Sequence, residues 1–499
     1  MARQRTSGVF LHLTSLPGPD GIGDLGAGAD AFLDFLDRAG QRYWQFCPLG
    51  PTSGVYGHSP YAADSAFAGN PLLVDLRDLA DRGYLDESDL DGPDGGDPHT
   101  VAYDAVAAYK RDRLRRAHER FAASADEGAR DSFEAFRERE ASWLADYTLY
   151  AALKEVHEGA WTDWPAEIAH RDPDALADAR EDHAEAVEYH AFVQWVFDDQ
   201  WQALRAAAAD RGIELVGDLP LYVAADSADV WASPETFELD DEGRPAVVAG
   251  VPPNPGDDGQ RWGNPVYDWD HLRETGYEWW LDRVRRLLSR VDVARIDHFK
   301  GFDEFWAIPA DADSPAAGEW RDGPGAEFFE AVADDLDMAP DDLPFIAEDL
   351  GFIDEGVVAL RDRFSIPGMR VPQYADWCSE DSRDKPVNYP RDAVAYTSTH
   401  DTDTAVGYYE SLGDEQRDCL HYALATDGSE IHWSLIEAVW DSEANIAMTT
   451  MQDLLGLGSD ARFNTPGTAE GNWRWRVTEA ALTDDVATEL AGITTATLR

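Results

Sequence analysis

Three short apolar runs in this chain end in a carboxylate, and a fourth is followed by one. Ile213-Glu-Leu-Val-Gly runs into Asp218, Val291-Asp-Val-Ala-Arg-Ile into Asp297 and Phe345-Ile-Ala into Glu348, while Asp401 follows Ala393-Val-Ala-Tyr-Thr397. Runs of this length read as strands. Helical stretches lie between most of them, as from Trp279 to Arg290 and from Ala326 to Leu336. Strand-helix alternation of this kind implies a parallel sheet, doubly wound or closed as a barrel. In both, the carboxyl ends of the strands hold the active site. One acid there reads as a helix N-cap. Four at equivalent places on separate strands are hard to assign to capping.

Further strands are expected at Gly8 to Ser15, Tyr43 to Leu49 and Met369 to Val371, with a helix from Asp30, as N-cap, to Ala39. Between about residues 75 and 211 the character changes. Ala, Glu, Asp and Arg dominate, and Trp143, Tyr147, Tyr150, Ala151 and Leu153 recur at helical spacing. This stretch reads as a mostly helical insertion within a single domain spanning residues 1–499. Asp89 to Asp97 reads as a local loop.

Arg295 and Asp297 are two apart on a strand, so they share a face. A guanidinium there keeps a carboxylate ionised, which suits a nucleophile; an ordinary buried ion pair is the bland reading. Glu348 sits behind Phe345, Ile346 and Ala347, in apolar sequence of the kind that raises a carboxyl pKa and suits a proton donor.

Other chemistries lack their residues. Gly21-Ile-Gly-Asp-Leu-Gly26 follows a loop, not a strand, and has no P-loop lysine, so a nucleotide site is not expected. There is no Gly-x-Ser-x-Gly elbow for a serine hydrolase. Asp and Glu number 98 against 41 Lys and Arg, a formal net charge of −57. That field repels nucleic acid and anionic membranes and favours a neutral substrate. Only Lys110, Lys154, Lys300 and Lys385 are lysines, and the acids are spread among apolar residues, as on a folded surface adapted to high salt. Cys47, Cys378 and Cys419 are scattered and form no CxxC pair; they read as three thiols, with no disulfide and no metal site. No run reaches membrane-spanning length, and the basic start at Met1 to Arg5 lacks the apolar stretch of a signal peptide, so the cytoplasm is expected.

With these residues in place, a resemblance becomes specific. Val293-Ala-Arg-Ile-Asp-His-Phe-Lys-Gly301, Ala347-Glu-Asp-Leu-Gly351 and Thr397-Ser-Thr-His-Asp401 resemble strand-end motifs of the α-amylase superfamily. Ser7-Gly-Val-Phe-Leu-His-Leu-Thr-Ser-Leu-Pro-Gly18, Ser59-Pro-Tyr61, Ser65-Ala-Phe-Ala-Gly-Asn-Pro71 and Gly250-Val-Pro-Pro253 look like amylomaltases, the disproportionating enzymes, in particular. So do Trp262-Gly-Asn-Pro265, Pro367-Gly-Met369, Arg462-Phe-Asn-Thr-Pro-Gly467 and Gly471-Asn-Trp-Arg-Trp-Arg476. The resemblance spans about residues 7–477.

It implies a (β/α)8 TIM barrel with helical insertions and no separate C-terminal β-domain. It implies a 4-α-glucanotransferase that moves α-1,4-glucan segments to the 4-hydroxyl of glucose or a maltooligosaccharide, with no cofactor. By resemblance Asp297 is the nucleophile, Glu348 the general acid/base and Asp401 the stabiliser of the distorted sugar. Arg295, His298 and His400 line the same subsite. Ser59 belongs to the motif of Tyr61, which stacks under the donor sugar with Asp218 and Trp262 nearby, and the tract around Asn464 loops over the groove. His12 reads as a structural histidine. The Trp473-Arg-Trp475 alternation equally fits core and surface pairing on a strand.

Two departures stand out. The loop Asn254 to Gln260 is one residue shorter than the family pattern and lacks its aromatic pair, and His58 and Ala62 replace Asp and Gln around Ser59-Pro-Tyr61. Both bear on acceptor binding. The nearest alternative is an α-1,4-glucan hydrolase using the same acids. A non-catalytic glucan-binding protein predicts the loss of at least one acid, and all three are present.

Overall fold

The computed structural model describes residues 5–93, 96–254, 258–351, 353–468 and 470–499. Three positions of the shortened loop at Asn254 to Gln260, residues 255–257, lie outside the described residues, as do residues 1–4 of the basic start and 94–95 of the loop near Asp89.

Twelve strands occur among the described residues: β1 (Thr6–Phe10), β2 (Tyr43–Gln45), β3 (Glu214–Leu219), β4 (Val247–Val251), β5 (Gln260–Pro265), β6 (Val293–Ile296), β7 (Glu304–Pro309), β8 (Glu319–Asp322), β9 (Phe345–Ala347), β10 (Gly368–Arg370), β11 (Ala393–Tyr396) and β12 (Ile446–Thr450). Eight close a barrel in the order β1-β12-β11-β10-β9-β6-β3-β2, every neighbouring pair parallel. The choice left open between winding and closure thus falls to the barrel.

The barrel is filled, not hollow. Val216, Ile346, Met369, Val394, Tyr396, Ile446 and Met448 pack together inside it, as expected of a closed parallel sheet whose inward side chains interdigitate. Strand β1 runs so close to its neighbours that a Cβ on Gly8 would stand 2.4 Å from the Tyr43 carbonyl oxygen and 2.9 Å from Met448 Sδ. Only glycine fits there.

Between β2 and β3 the chain forms a helical layer. Its longest members are Tyr103–Ser124, Glu127–Arg139, Ala141–Val156 and Ala184–Asp210. Phe121, Phe133, Phe192 and Trp195 interlock between them at ring separations of 5.0–5.8 Å. The buried Lys110 ties this layer to the barrel-side loop, its Nζ donating to Asp24 Oδ2 at 3.0 Å and to the Val74 carbonyl at 2.8 Å.

Several expectations need correction. The first helix spans Ala27–Arg38, so it begins three residues before the expected cap, and Asp30 lies in its first turn, where a carboxylate still faces the positive helix end. The first strand stops at Phe10, and Leu13–Ser15 forms a 3-10 turn. Strand β12 was not foreseen: Ile-Ala-Met-Thr-Thr is buried along its length but ends in two hydroxyl residues and carries no acid. A four-stranded antiparallel sheet, β5-β4-β7-β8, rises beside the barrel from the connections after β3 and β6; it too was not expected. Trp473 and Trp475 do not lie on a strand. Trp475 makes one isolated bridge to Thr100, and Trp473 has a left-handed backbone with φ 64°.

The cysteine reading also changes. Cys378 and Cys419 form a disulfide with Cα atoms 5.2 Å apart, and only Cys47 remains a buried thiol. Their separation of 41 positions gave no spacing signal; the fold alone brings the loop after β10 against the helix Asp414–Leu424. Among the described residues no helix is long and apolar enough to cross a membrane.

Candidate active site

The carboxylates anticipated at the strand ends converge at one mouth of the barrel, and Arg295 joins them. From β6 its Nη1 donates to Asp218 Oδ2 at 2.7 Å and its Nη2 to Asp297 Oδ1 at 2.9 Å. Its side chain is 4 % exposed. Burial opposes the guanidinium charge, but Asp218 and Asp297 outweigh it and hold Arg295 firmly protonated. Asp297 keeps 28 % of its side chain open to the cleft. A nucleophile needs that combination of ion pairing and access.

Asp218, at the end of β3, is buried. Burial pushes its carboxyl up; Arg295 works against that and Asp297 with it. Tyr61 donates its phenol proton to Asp218 Oδ2 at 2.9 Å, and its oxygen lies 2.9 Å from His400 Nε2. With one phenol proton committed to Asp218, the Tyr61 oxygen accepts from His400 Nε2–H. His400 is stacked between Phe10 and Tyr61, ring centroids 5.7 and 5.3 Å away.

Asp401 lies beyond β11. Its Oδ2 is 3.2 Å from His400 Nε2 and its Oδ1 accepts the Asn464 amide at 2.6 Å. Desolvation works to raise this carboxyl, but the His400 charge and the bonds from His400 and Asn464 prevail and hold it well below the usual carboxylate range. The same pairing, against burial, raises His400. Asp401 nevertheless keeps 41 % of its side chain open to the cleft, as a group that meets a ligand must.

Glu348 follows β9, next to β6 in the barrel. Its carboxylate is fixed by main-chain donors: His298 N to Oε2 at 3.0 Å and Leu350 N to Oε1 at 2.9 Å. The first requires His298 to adopt φ 52°, ψ 51°, a left-handed conformation that a non-glycine residue holds only where the surroundings impose it. Desolvation at the cleft floor pushes Glu348 up to about 7, with Arg295 opposing and Asp297 adding to it. Burial takes the His298 imidazole down to about 4, so the ring is neutral.

Trp262, at 37 % exposure, stands edge-on to His298 with ring centroids 4.9 Å apart. Ser59 is set apart from the others: its hydroxyl accepts the Tyr61 amide at 3.3 Å and so shapes the turn that presents Tyr61. His12 is buried, and burial, with the His400 charge beside it, lowers its pKa to about 3.

Sequence reasoning missed three neighbours. Arg462 donates Nη2 to the Asp401 carbonyl at 2.5 Å; its block was recognised, its contact not. Trp473 packs 5.8 Å from Tyr61 and 6.2 Å from His400. Tyr374 is half exposed, and partial burial, Glu348 and Asp401 together raise its phenol to about 12. Among the described residues no cluster of His, Cys, Asp and Glu is set to hold a metal ion.

A paired carboxylate beside a proton-holding one, at the mouth of a closed parallel barrel and among aromatic rings, is the equipment of an enzyme that breaks and remakes glycosidic bonds. Comparison with known proteins narrows that class. The family model for 4-alpha-glucanotransferase, glycoside hydrolase family 77, matches residues 11–483, and the chain belongs to this family. It is 45 % identical to the 4-alpha-glucanotransferase of Thermus thermophilus over 514 aligned positions covering 100 % of both chains. It is 46 % identical to that of Synechocystis sp., covering 99 % of this chain and 98 % of the relative. The solved amylomaltase from Streptococcus agalactiae in complex with acarbose superposes with a TM-score of 0.95 at 37 % identity, over 99 % of this chain and 100 % of that one.

Proposed function

We propose that this enzyme transfers a segment of an α-1,4-glucan to the 4-hydroxyl of glucose or a maltooligosaccharide by a retaining double displacement. The observation that carries the reading is the placement of Asp297, paired to Arg295 at 2.9 Å, beside Glu348, whose proton is retained to about pH 7.

Glu348 protonates the departing glycosidic oxygen while Asp297 forms an ester to the anomeric carbon. The departing chain leaves as an alcohol. Glu348, now a carboxylate, takes the proton of the incoming 4-hydroxyl as that oxygen displaces Asp297 and restores the α-linkage. Asp401 accepts hydrogen bonds from the 2- and 3-hydroxyls of the donor sugar and favours its flattened form. Tyr61 and Trp262 present ring surface to the sugars, His298 and His400 line the subsite, Asn464 holds the glucan-side loop against Asp401, and Asp218 keeps Arg295 in register. The helical stretch 75–211 is an insertion in one catalytic domain. The acidic composition suits work at high salt in the cytoplasm, on neutral glucans.

Product analysis after incubation with pure maltotriose in multimolar salt tests the reading. Glucose together with maltopentaose and longer chains is the expected ladder. Glucose and maltose alone would mean hydrolysis, and unchanged maltotriose would overturn the catalytic assignment.

A further inference from the structure

The segment that carries His400 and Asp401 leaves β11 at Tyr396 and re-enters helix at Ala405. It has no strand or helix of its own, so its shape must be held from outside. One buried carboxylate holds both of its ends. Asp453 is 0 % exposed. Its Oδ2 accepts the Thr397 and Ser398 hydroxyls at 2.5 Å each, and its Oδ1 accepts the Ala405 amide at 2.7 Å. Thr449 and Thr450 back the same hydroxyls, Oγ1 to Thr397 Oγ1 at 2.9 Å and Oγ1 to Ser398 Oγ at 3.1 Å.

Asp453 is itself fixed. It lies in the single helical turn Met451–Leu454 that follows β12, where Thr450 Oγ1 accepts its amide at 3.2 Å. Its neighbour Gln452 donates Nε2 to the Ala461 carbonyl at 3.3 Å. Within three residues after Ala461 come Arg462 and Asn464, which grip Asp401 from the other side at 2.5 and 2.6 Å. One helical turn therefore meets both the segment that bears Asp401 and the tract that receives it. The partners of Asp453 in this network are hydroxyls and an amide, not cations, so the carboxylate acts as a multiple acceptor and not as half of an ion pair. Two hydroxyls and an amide converging on one carboxylate from both ends of a catalytic segment make a brace. A carboxylate that merely capped its own helix would bond within that helix.

We propose that Asp453 is a positioning residue for the glucan transfer: it sets where the Asp401 carboxylate stands relative to Asn464 and the donor sugar. The proposal rests on the reading that Asp401 engages the donor. Asp453 touches no substrate and acts through the segment it braces. Displacements of about 1 Å at a reacting centre cost on the order of 10²-fold in rate.

The test is a double-mutant cycle between Asp453→Asn and Asp401→Asn, using maltotriose for the single variants and α-maltosyl fluoride, which needs less catalytic help to depart, where rates are low. Asp453→Asn keeps the volume and one acceptor oxygen but cannot accept from both sides. The expected result is a kcat lowered about 10- to 100-fold with KM changed less than about threefold, and a melting temperature close to that of the parent. In the Asp401→Asn background the same substitution should cost less than about threefold, because the group it positions has gone. An undiminished loss in that background would overturn the proposal, as would wild-type kcat in Asp453→Asn. If Asp453→Asn melts far below the parent, Asp453→Glu replaces it in the cycle and is read by the same two criteria. Wild-type activity in Asp401→Asn would instead overturn the role assigned to Asp401, and the positioning claim with it.

Discussion

Arg295 and Asp297 meet at 2.9 Å, Nη2 to Oδ1, while the other terminal nitrogen of the same guanidinium is held by Asp218 at 2.7 Å. The planar fork of arginine makes this possible; a lysine offers one point charge and can satisfy only one of the two carboxylates at that geometry. Arg295→Lys is therefore expected to lower kcat on maltotriose by about 10²-fold or more while the protein stays folded, because it leaves either Asp218 or Asp297, the proposed nucleophile, without its partner. Activity within threefold of the parent would show that the fork is not needed.

The pH dependence follows from Glu348. Desolvation keeps its proton to about pH 7, and the first step of the proposed mechanism uses that proton. The sign is that of an acid required in its protonated form: kcat/KM should fall as pH rises through about 7. In Glu348→Gln the overall rate should drop on the order of 10²- to 10⁴-fold, as for loss of a general acid, and the alkaline limb should vanish. A variant that retained the same alkaline limb would assign it to another group.

Much of this site was legible because strand ends are local. A short apolar strand ending in an acid puts that acid at the barrel mouth, whatever the rest of the chain does, so Asp218, Asp297 and Glu348 were found from their own neighbours. The pairing of Arg295 with Asp297 was read from a two-residue spacing, but its second bond, to Asp218 on β3, joins residues 77 apart, which no local pattern encodes. The same limit hid the Cys378–Cys419 bond and the brace from Asp453. Strand β12 escaped for a different reason: Ile-Ala-Met-Thr-Thr ends in two hydroxyl residues and has no acid at its end to mark it, although it is buried along its length. The antiparallel sheet carrying Trp262 is short-stranded and bent at a register shift between Val248 and Gly250, which breaks its period-two signal.

Asn464 reaches Asp401 with a 2.6 Å amide bond to Oδ1, leaving the other carboxylate oxygen to His400 at 3.2 Å. Removing the amide frees Asp401 to swing toward the imidazole. Asn464→Ala is expected to lower kcat/KM about 10-fold or more, the loss typical of a group that orients a substrate-binding one, with little change in melting temperature because Asn464 is only partly buried. Steady-state kinetics on maltotriose and a thermal melt check both halves. A large fall in melting temperature with unchanged kcat/KM would make Asn464 structural.

Lys110 is one of four lysines in the chain and is fully buried, with Nζ between Asp24 Oδ2 at 3.0 Å and the Val74 carbonyl at 2.8 Å. Taking away one member of a buried pair strands the other charge in low dielectric, at a cost of about 3–5 kcal/mol. Lys110→Ala should therefore destabilise strongly in urea unfolding. The double variant Lys110→Met with Asp24→Leu should recover most of that loss, since an apolar pair of similar volume has no charge to solvate. If the single variant lost less than about 1 kcal/mol, the pair would be behaving as an exposed one.

Salt should act on the whole molecule in the opposite sense to its effect on most surface ion pairs. The formal charge of −57 leaves many carboxylates without a cation to face, and exposed pairs such as Arg137–Glu134 and Arg273–Asp270 each contribute at most about 1 kcal/mol, less in high salt. Repulsion among the unpaired acids extends over about 10 Å at 0.1 M ionic strength and about 3 Å at 1 M. Screening therefore removes more repulsion than attraction, and the melting temperature should fall when the protein is moved from molar KCl to low salt. Potassium and tetramethylammonium chlorides at equal ionic strength should protect equally if screening alone is responsible. An unchanged melting temperature across that dialysis would mean that the acids are spaced widely enough, or paired well enough, for the fold to tolerate its charge without salt.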